Sequence, residues 1–136
     1  MLPEKLRLEL VTPERRVLAE DVQEVVLPGE VGYFGVLPGH APLLSSLEIG
    51  EMMYRIGNRK EFLAISDGFA EILPEKIIIL VNTAEKAEEI NSERARGSLG
   101  RAQERLRKWE SNLDFWRARA SLQKAFIRIR VSGKIS

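Results

Sequence analysis

The sequence predicts an α+β fold, in which an N-terminal antiparallel β-sandwich is followed by a C-terminal antiparallel hairpin of two helices. Two observations support this prediction. Between residues 6 and 84, apolar and polar side chains alternate and Gly or Pro recurs every few residues, which is typical of short strands joined by turns. From Asn91 onward Pro is absent, Gly is sparse and Ala, Arg, Glu and Leu predominate, which favours helices. We therefore divide the chain into a β domain over 1–85 and a helical hairpin over 86–136.

The β domain is predicted to contain a series of short strands. Leu6, Leu8 and Leu10 fall on one face of the first strand, as the two-residue period of a strand requires. Strands of this length and spacing form either a sandwich or a flattened barrel. The remaining strands are predicted over residues 16–19, 22–27, 33–37, 43–47, 51–56, 61–66, 69–73 and 76–81.

Two turns and one strand add detail to this prediction. Gly57-Asn58 and the Pro-containing turn 73–76 each lie between alternating segments, which indicates two antiparallel hairpins. The run 77–81 is apolar on both faces, which predicts a central strand buried between two layers.

Each predicted helix carries one apolar stripe at spacings of three and four residues. The first stripe contains Ala95, Leu99, Ala102, Leu106 and Trp109, and the second contains Phe115, Ala118, Leu122, Ala125 and Ile129. Ser111, with Asp114 three residues later, is predicted to cap the second helix. Since a buried methylene contributes roughly 0.8 kcal/mol, a contact rich in alanine is weaker than a leucine contact, and we expect a hairpin that can open. The alternative is an appendage that only stabilises the sandwich, and the sequence leaves open whether the hairpin is compact or extended at rest.

Composition excludes several classes of protein. The 136 residues carry 21 basic and 20 acidic side chains, whereas a dedicated nucleic-acid-binding protein usually has a strong basic excess. No cysteine is present, which removes disulfides, thiolate catalysis and the common structural zinc sites. No apolar run is long enough to span a bilayer and no targeting peptide is predicted, so we expect the protein to stay where it is made.

Three groups of residues invite a catalytic or ligand-binding interpretation, but the structural interpretation is stronger for each. Glu85, Glu88 and Glu89 are best explained as a polar linker before a helix whose dipole they complement. His40 has no orienting carboxylate or nucleophile at a recognisable spacing. The glycine-rich stretch 28–35 lacks the Gly-Lys-Ser/Thr ending of a phosphate-binding loop. We therefore predict no catalytic residue, no metal site and no enzyme activity for the chain by itself.

The second helix is basic. From Phe115 onward it contains no acidic residue, so its charged face is either solvated or binds an acidic partner or a phosphorylated ligand. A nucleic-acid-binding role for this helix is disfavoured by the near-neutral net charge of +1.

Four motifs, in order along nearly the whole chain, carry a resemblance to a known family. They are Val11-Thr12-Pro13, the segment 35–44 with its Pro-Gly-His-Ala-Pro-Leu-Leu core, the segment 66–72, and the segment 84–90. With these motifs the chain resembles the epsilon subunit of bacterial and chloroplast ATP synthases.

The resemblance implies a fold of about ten strands followed by the hairpin, and a rotor-binding role for the sandwich. In the family the sandwich binds the gamma subunit of the central stalk and rests on the membrane ring of c subunits. By position, Glu30, Val31, Gly32 and Tyr33 match the loop that meets the c ring, and His40 is expected close to the same end. The family subunit is non-catalytic and couples proton-driven rotation to ATP synthesis. It contacts the membrane only through the complex, on the cytoplasmic face of the cell membrane or, alternatively, the stromal side of the thylakoid.

The resemblance also implies two properties of the hairpin. In the family the C-terminal helices extend and block ATP hydrolysis by contacting the beta and alpha subunits, where an acidic loop would face the basic residues Arg117, Arg119, Lys124, Arg128 and Arg130. Some members bind ATP in the folded hairpin as a regulatory ligand, although no cofactor is required. The matching positions here are Glu85, Asn91, Arg94, Arg101, Lys124 and Arg128.

Two of these ATP positions depart from the family pattern. Asn91 stands where the family has Asp, and Lys124 stands where some members have Arg. An amide removes a negative charge but remains a good helix N-cap, while lysine loses the planar fork that suits bidentate phosphate contacts. The leading hypothesis is therefore a rotor subunit that restrains hydrolysis, and the alternative is a nucleotide-sensing module whose hairpin closes on ATP.

Overall fold

The computed structural model describes residues 2–108 and 112–134, with the backbone only for 112 and 113. Within these residues the chain forms ten strands, one 3₁₀ turn over Ala87–Glu89 and two helices. The strands are β1 (Leu6–Val11), β2 (Arg16–Val22), β3 (Glu24–Gly29), β4 (Gly32–Val36), β5 (Leu43–Leu47), β6 (Gly50–Ile56), β7 (Arg59–Ile65), β8 (Gly68–Ile72), β9 (Lys76–Val81) and β10 (Ala84–Lys86). The helices are α1 (Ser92–Arg107) and α2 (Asn112–Ser132).

The strands form one continuous hydrogen-bonded sheet that folds over a single apolar core, as a ten-stranded sandwich. The strand order is β10-β7-β6-β3-β5-β8-β9-β1-β2, and β4 pairs with β3 outside this path. All pairs are antiparallel except β1 with β9, which is parallel. Alternate residues of each strand point inward, so that Leu6, Leu8 and Leu10 of β1 are fully buried, as their spacing predicts. The fold class predicted from the sequence is confirmed.

Both predicted hairpins are present. Ile56 pairs with Arg59 across the two-residue turn, where Gly57 has a φ of 60°, a conformation that glycine adopts without a steric penalty. Ile72 pairs with Ile77 across the turn that contains Pro74.

One prediction about β9 is wrong. The strand is central in the sheet, between β8 and β1, but it is buried on one face only. Ile77 and Ile79 are fully buried, whereas Leu80 is 53% exposed. An unbroken apolar run cannot distinguish a strand buried on both faces from a strand with one buried face and one exposed apolar face. Both kinds of strand have apolar residues at every position.

The hairpin forms as its periodicity predicts. The Asn91 side chain caps α1 by accepting a hydrogen bond from the Arg94 backbone N–H at 3.1 Å. The stripe alanines of both helices are buried: Ala95, Ala102, Ala118 and Ala125. The predicted stripe residue Trp109 and the predicted cap Ser111 lie outside the described residues.

The hairpin is compact and lies against the sandwich. A second apolar cluster joins α2 to β7 and the 3₁₀ turn, with Val131 fully buried at its centre. Ala64, Ala87 and Ile90 are its other buried members, and Phe62 and Ile127 pack on it. Ile127 and Val131 therefore form a second apolar stripe on α2, four residues apart, which faces the sandwich rather than α1.

Candidate functional site

A cleft of about 490 Å³ lies between the sandwich and the hairpin. The sandwich wall comes from the β1–β2 turn and from β7 and its neighbours, and the hairpin wall comes from α1 and α2. Five cationic side chains line the cleft against two acidic ones, so the space favours an anion. The cations are Arg15, Arg101, Arg105, Lys124 and Arg128, and the acids are Glu14 and Glu85.

The closest charge contact in this cleft joins the two domains. Arg128 of α2 and Glu85 of β10 form a two-point ion pair, with Nε 2.7 Å from Oε1 and Nη2 donating a hydrogen bond to Oε2 at 3.1 Å. Both side chains are about one-third exposed, so solvent screens the pair only in part. The pair holds α2 to the last strand of the sandwich.

Four of the six positions matched to ATP binding therefore share this cleft: Glu85, Arg101, Lys124 and Arg128. The other two lie elsewhere. Asn91 is occupied as the N-cap of α1, and Arg94 is exposed at the first turn of that helix. Neither residue lines the cleft.

Apart from Glu85, the residues of the sandwich wall are not among the positions predicted from the sequence. Arg15 reaches across from the β1–β2 turn, where its Nη2 lies 3.0 Å from Glu89 Oε2. Ser66 is buried and accepts a hydrogen bond from the Thr83 backbone at 2.8 Å. Thr12 and Ser66 belong to motifs that carry the family resemblance, but no spacing rule connects them to α1, because strand topology alone brings them to the hairpin.

The loop matched to the c ring forms the exposed tip of the β3–β4 hairpin. Val31 is fully exposed, and Gly32 has a φ of 141°, which a residue with a side chain rarely adopts. Glu30 accepts a hydrogen bond from the Ser46 hydroxyl at 2.9 Å. Tyr33 is half-exposed, and its hydroxyl accepts a hydrogen bond from the Glu51 backbone N–H at 3.0 Å. The tip is thus presented to solvent on an anchored base.

The structure does not place His40 beside this tip. The loop that carries His40 lies at the Leu43 end of β5 and is tied to the β8–β9 turn by the bond from Gly39 N–H to the Pro74 carbonyl, at 2.8 Å. The tip lies at the Leu47 end of β5, because Leu47 pairs with Gly29. The expectation that His40 lies close to the tip is therefore wrong. The chain leaves the tip along β4 and returns along β5, and His40 lies in the loop between these strands, at the other end of both.

A second exposed surface follows the outer face of β1, β9, β8 and β5. Val11, Leu80 and Phe69 lie side by side across three strands, since Val11 pairs with Leu80 and Leu80 with Phe69. Leu80 and Phe69 are 53% and 59% exposed. Ile78 and the exposed Leu44 extend this row, and we call these five residues the outer apolar face.

The basic residues of α2 do not share one face in the compact hairpin. Arg117 lies near the far end of the hairpin with Lys108 of α1, and Arg119 lies 5.5 Å from the Trp116 ring. Lys124 lines the cleft. Arg128 and Arg130 point at carboxylates of the sandwich, Glu85 and Glu51 respectively.

Among the residues that the structure describes, two titratable groups have clearly shifted pKa values, and both lie outside the cleft. Burial raises the pKa of the Tyr54 phenol to about 12, and the charges of Glu20 and Glu61 act in the same direction. The hydrogen bond from Lys5, together with the charge of Arg7, holds the pKa of the exposed Asp21 carboxyl below its usual value. Within the described ranges, His, Asp and Glu side chains form no cluster suited to a metal ion, and neither helix is long and apolar enough to cross a membrane.

Solved structures share this fold. A chain of the Euglena gracilis mitochondrial ATP synthase, in a structure of its OSCP/F1/c-ring, superposes with a TM-score of 0.81 at 24% identity, over 90% of this chain and 78% of that one. A chain of the central stalk/c-ring of Tetrahymena thermophila mitochondrial ATP synthase superposes with a TM-score of 0.65 at 12% identity, over 97% and 99%. At these identities the likeness shows the fold.

Sequence comparison establishes the family. Residues 5–87 match the family described as ATP synthase, Delta/Epsilon chain, beta-sandwich domain, and residues 88–133 match its long alpha-helix domain. The ATP synthase epsilon chain of Syntrophobacter fumaroxidans is 48% identical over 98% of this chain and 99% of its own length. That of Geotalea daltonii is 48% identical over 98% and 97%. The chain therefore belongs to the ATP synthase epsilon chain family and is a subunit of that complex, not an enzyme by itself.

Proposed function

We propose that the chain is a rotor subunit in the central stalk of a proton-translocating F-type ATP synthase. The sandwich binds the gamma subunit and the c ring and so couples ring rotation to ATP synthesis. The hairpin restrains ATP hydrolysis by contacting the beta and alpha subunits. In this role the chain reaches the membrane only through the complex, at the cytoplasmic face of the cell membrane.

The outer apolar face is the observation that carries this proposal. Contiguous exposed apolar surface is uncommon on a protein that works alone, and it usually marks an interface. Here the apolar row Val11, Leu80 and Phe69 lies on three rigid, hydrogen-bonded strands rather than on a loop. Glu9 and Glu71, which pair with Ile78, supply polar groups beside the row. An apolar centre with polar groups around it suits a stable protein partner, and the gamma subunit is the partner that we assign to it.

Two phenylalanines provide a matched test of this assignment. Phe69 of the outer apolar face is 59% exposed, and Phe126 on α2 is 57% exposed. We expect Phe69→Glu to abolish co-purification with the gamma subunit, because it places a charge in the apolar row, directly beside Leu80. Phe126→Glu adds the same charge at equal exposure and should leave the gamma complex intact. Equal retention of gamma by both variants would refute the assignment.

The tip of the β3–β4 hairpin supports the c-ring contact. Its apolar side chain Val31 is fully exposed, while Ser46 and Glu51 hold its base. A rigid loop with a solvated tip can dock without a large entropic cost of ordering. We expect Val31→Asp to weaken assembly of the chain with isolated c rings in the presence of gamma, while binding to gamma alone persists. Unchanged assembly would exclude the tip from the c-ring contact.

Restraint of hydrolysis requires the hairpin to change its arrangement. In the compact form Arg128 and Arg130 lie against Glu85 and Glu51, so these carboxylates compete with an acidic partner for the two cations. Opening the hairpin exposes them together with the alanine stripes. We therefore propose that the open hairpin, rather than the compact one, is the inhibitory form.

Truncation tests this part of the proposal. A chain ending at Ile90 keeps all ten strands and the buried residues Ala87 and Ile90, but lacks both helices. We expect the reconstituted catalytic complex to hydrolyse ATP faster with this truncated chain than with the full chain. Equal hydrolysis rates, with equal incorporation of both chains, would refute inhibition while leaving the gamma contact untouched.

The second candidate function is nucleotide sensing, favoured by the cationic cleft. Arg101, Lys124 and Arg128 converge there from both helices on a space of about 490 Å³, which is large enough for a small-molecule ligand. An ATP molecule whose phosphates contact α1 and α2 would stabilise the compact hairpin by mass action.

Calorimetry with a matched pair of variants tests nucleotide sensing. Arg101→Gln removes a cation of the cleft, and Arg96→Gln removes an exposed cation of α1 that does not line it. We expect ATP to release heat on binding to the unmodified chain and to the Arg96→Gln chain, but not to the Arg101→Gln chain. No detectable heat at millimolar ATP with the unmodified chain would refute this function.

A further inference from the structure

At the C-terminal end of the hairpin, two cations contact one carboxylate of the sandwich. Glu51, the second residue of β6, has a side chain that is only 11% exposed. Lys134 Nζ lies 2.7 Å from its Oε1, and Arg130 Nε lies 3.8 Å from its Oε2. Both cations come from the last turn of α2 and the two residues beyond it, so a single acidic group receives two charges from one end of the hairpin.

The surroundings of Lys134 strengthen this contact. Its ammonium group lies 4.6 Å from the centre of the Phe62 ring of β7, and its side chain is 34% exposed. Val131, three residues earlier, is fully buried in the cluster beneath. An ion pair that is partly shielded from water, with an aromatic ring beside the cation, is stronger than a pair on the open surface.

Glu51 is also held in place from the sandwich side. Its backbone N–H donates to the Tyr33 hydroxyl, and its neighbour Gly50 is buried against Pro28 and Tyr33. The carboxylate is therefore presented from a rigid position, so that little conformational entropy is lost when the cations reach it.

The alanine stripes explain why such a contact matters. The α1–α2 contact is built from small side chains that bury little apolar area each, and α2 is joined to the sandwich by one small cluster around Val131 and by the Arg128–Glu85 pair. When the stabilising terms are small, a contact that exists only in the compact form can determine the population of that form.

We propose that Glu51 is the acceptor of a two-cation latch, formed with Lys134 and Arg130, that sets the fraction of molecules in which the hairpin is open. The latch rests on the proposed opening of the hairpin, but not on inhibition of hydrolysis or on any partner. Breaking it shifts the isolated chain toward the open form.

The test measures the compact and open populations directly. Since the sequence has no cysteine, Glu75→Cys in the β8–β9 turn and Gln103→Cys on α1 give two unique, exposed sites for spin labels. Double electron–electron resonance then measures the distance between the two spin labels, and so between sandwich and hairpin, in the full-length chain. The conformational readout does not depend on gamma binding or ATPase activity, so a failure of the proposed function is distinguishable from a failure of the latch.

Three variants define the expected result. Glu51→Gln removes the acceptor for both cations and should raise the open-to-compact ratio about tenfold, equivalent to about 1.4 kcal/mol. Lys134→Gln removes one cation and should raise the ratio about threefold. Adding Lys134→Gln to Glu51→Gln should raise the ratio by less than Lys134→Gln does alone, because the acceptor is already lost and only the contact of Lys134 with the Phe62 ring remains.

Glu104→Gln is the matched control. Glu104 pairs with Lys108 at 3.2 Å on the exposed surface of α1, so it carries the same charge but does not join the hairpin to the sandwich. We expect it to leave the ratio unchanged. The latch is refuted if Glu51→Gln behaves like the control, if the effects of the two latch substitutions are additive, or if no chain shows an open population. Lys134 lies beyond α2, so its variant remains informative even if Glu51→Gln lowers the stability of the sandwich.

Discussion

Deleting two methyl groups from Val131 tests whether the hairpin can leave the sandwich as a separate unit. Val131 is fully buried in the small cluster between α2 and β7. At about 0.8 kcal/mol per buried methyl or methylene group, plus a term for the residual cavity, Val131→Ala should cost about 2 kcal/mol. If the hairpin opens independently, the substitution lowers the free energy of docking the hairpin onto the sandwich and leaves the free energy of unfolding the sandwich unchanged.

Native-state hydrogen exchange separates these two possibilities, because it measures the opening free energy of each amide. We expect the amides in the second half of α2 to lose about 2 kcal/mol of protection in Val131→Ala, while the amides of β9 lose none. Val36→Ala is the matched control: it makes the same deletion at a fully buried position of β4, in the main core. That variant should lower the protection of β9 by a similar amount.

One result would refute this reasoning. If Val131→Ala lowers the protection of α2 and β9 equally, the hairpin and the sandwich form one cooperative unit. A hairpin that opens to restrain hydrolysis would then be excluded for this chain.

Three further predictions concern single positions. Gly68→Ala should lower the free energy of unfolding, measured with denaturant, by about 3 kcal/mol or more, because the added Cβ would collide with the backbone carbonyl of Leu80. Gly35→Ala is the control and should cost far less, because the space around its Cβ is open. Gly100→Ala should increase amide protection in α1 by about 1 kcal/mol, since the new methyl group has open space beyond the backbone of its own helix and alanine favours the helix; unchanged protection would contradict this. The pKa of Tyr54 of about 12, against 10.0 for a free phenol, means that the unfolded chain loses this proton first, so folding stability should fall as pH rises from 10 to 12. Stability measured against pH should lose this dependence in Tyr54→Phe.

At the candidate site, the residues of the two helices could be predicted from the sequence, whereas one contact of the sandwich could not. The sequence predicts Asn91 as a good N-cap, and the structure confirms it, because capping depends on the three residues that follow. Arg101, Lys124 and Arg128 share a cleft because their spacing along two helices turns them toward the same side. Arg15, in contrast, reaches the hairpin region from the β1–β2 turn, 74 residues away from its partner Glu89. No local pattern could have found that contact.

By itself the sequence determined the strand and helix periods, the two β-hairpin turns, the alanine stripes and the family, because each depends on local spacing or on motifs in order. Tertiary structure decided the remaining features. It exposed one face of β9, placed His40 and the β3–β4 tip at opposite ends of β5, and brought Glu51 to the end of α2. These features depend on which strands pair and on which helix face docks, and both are set by packing between segments that lie far apart in the chain.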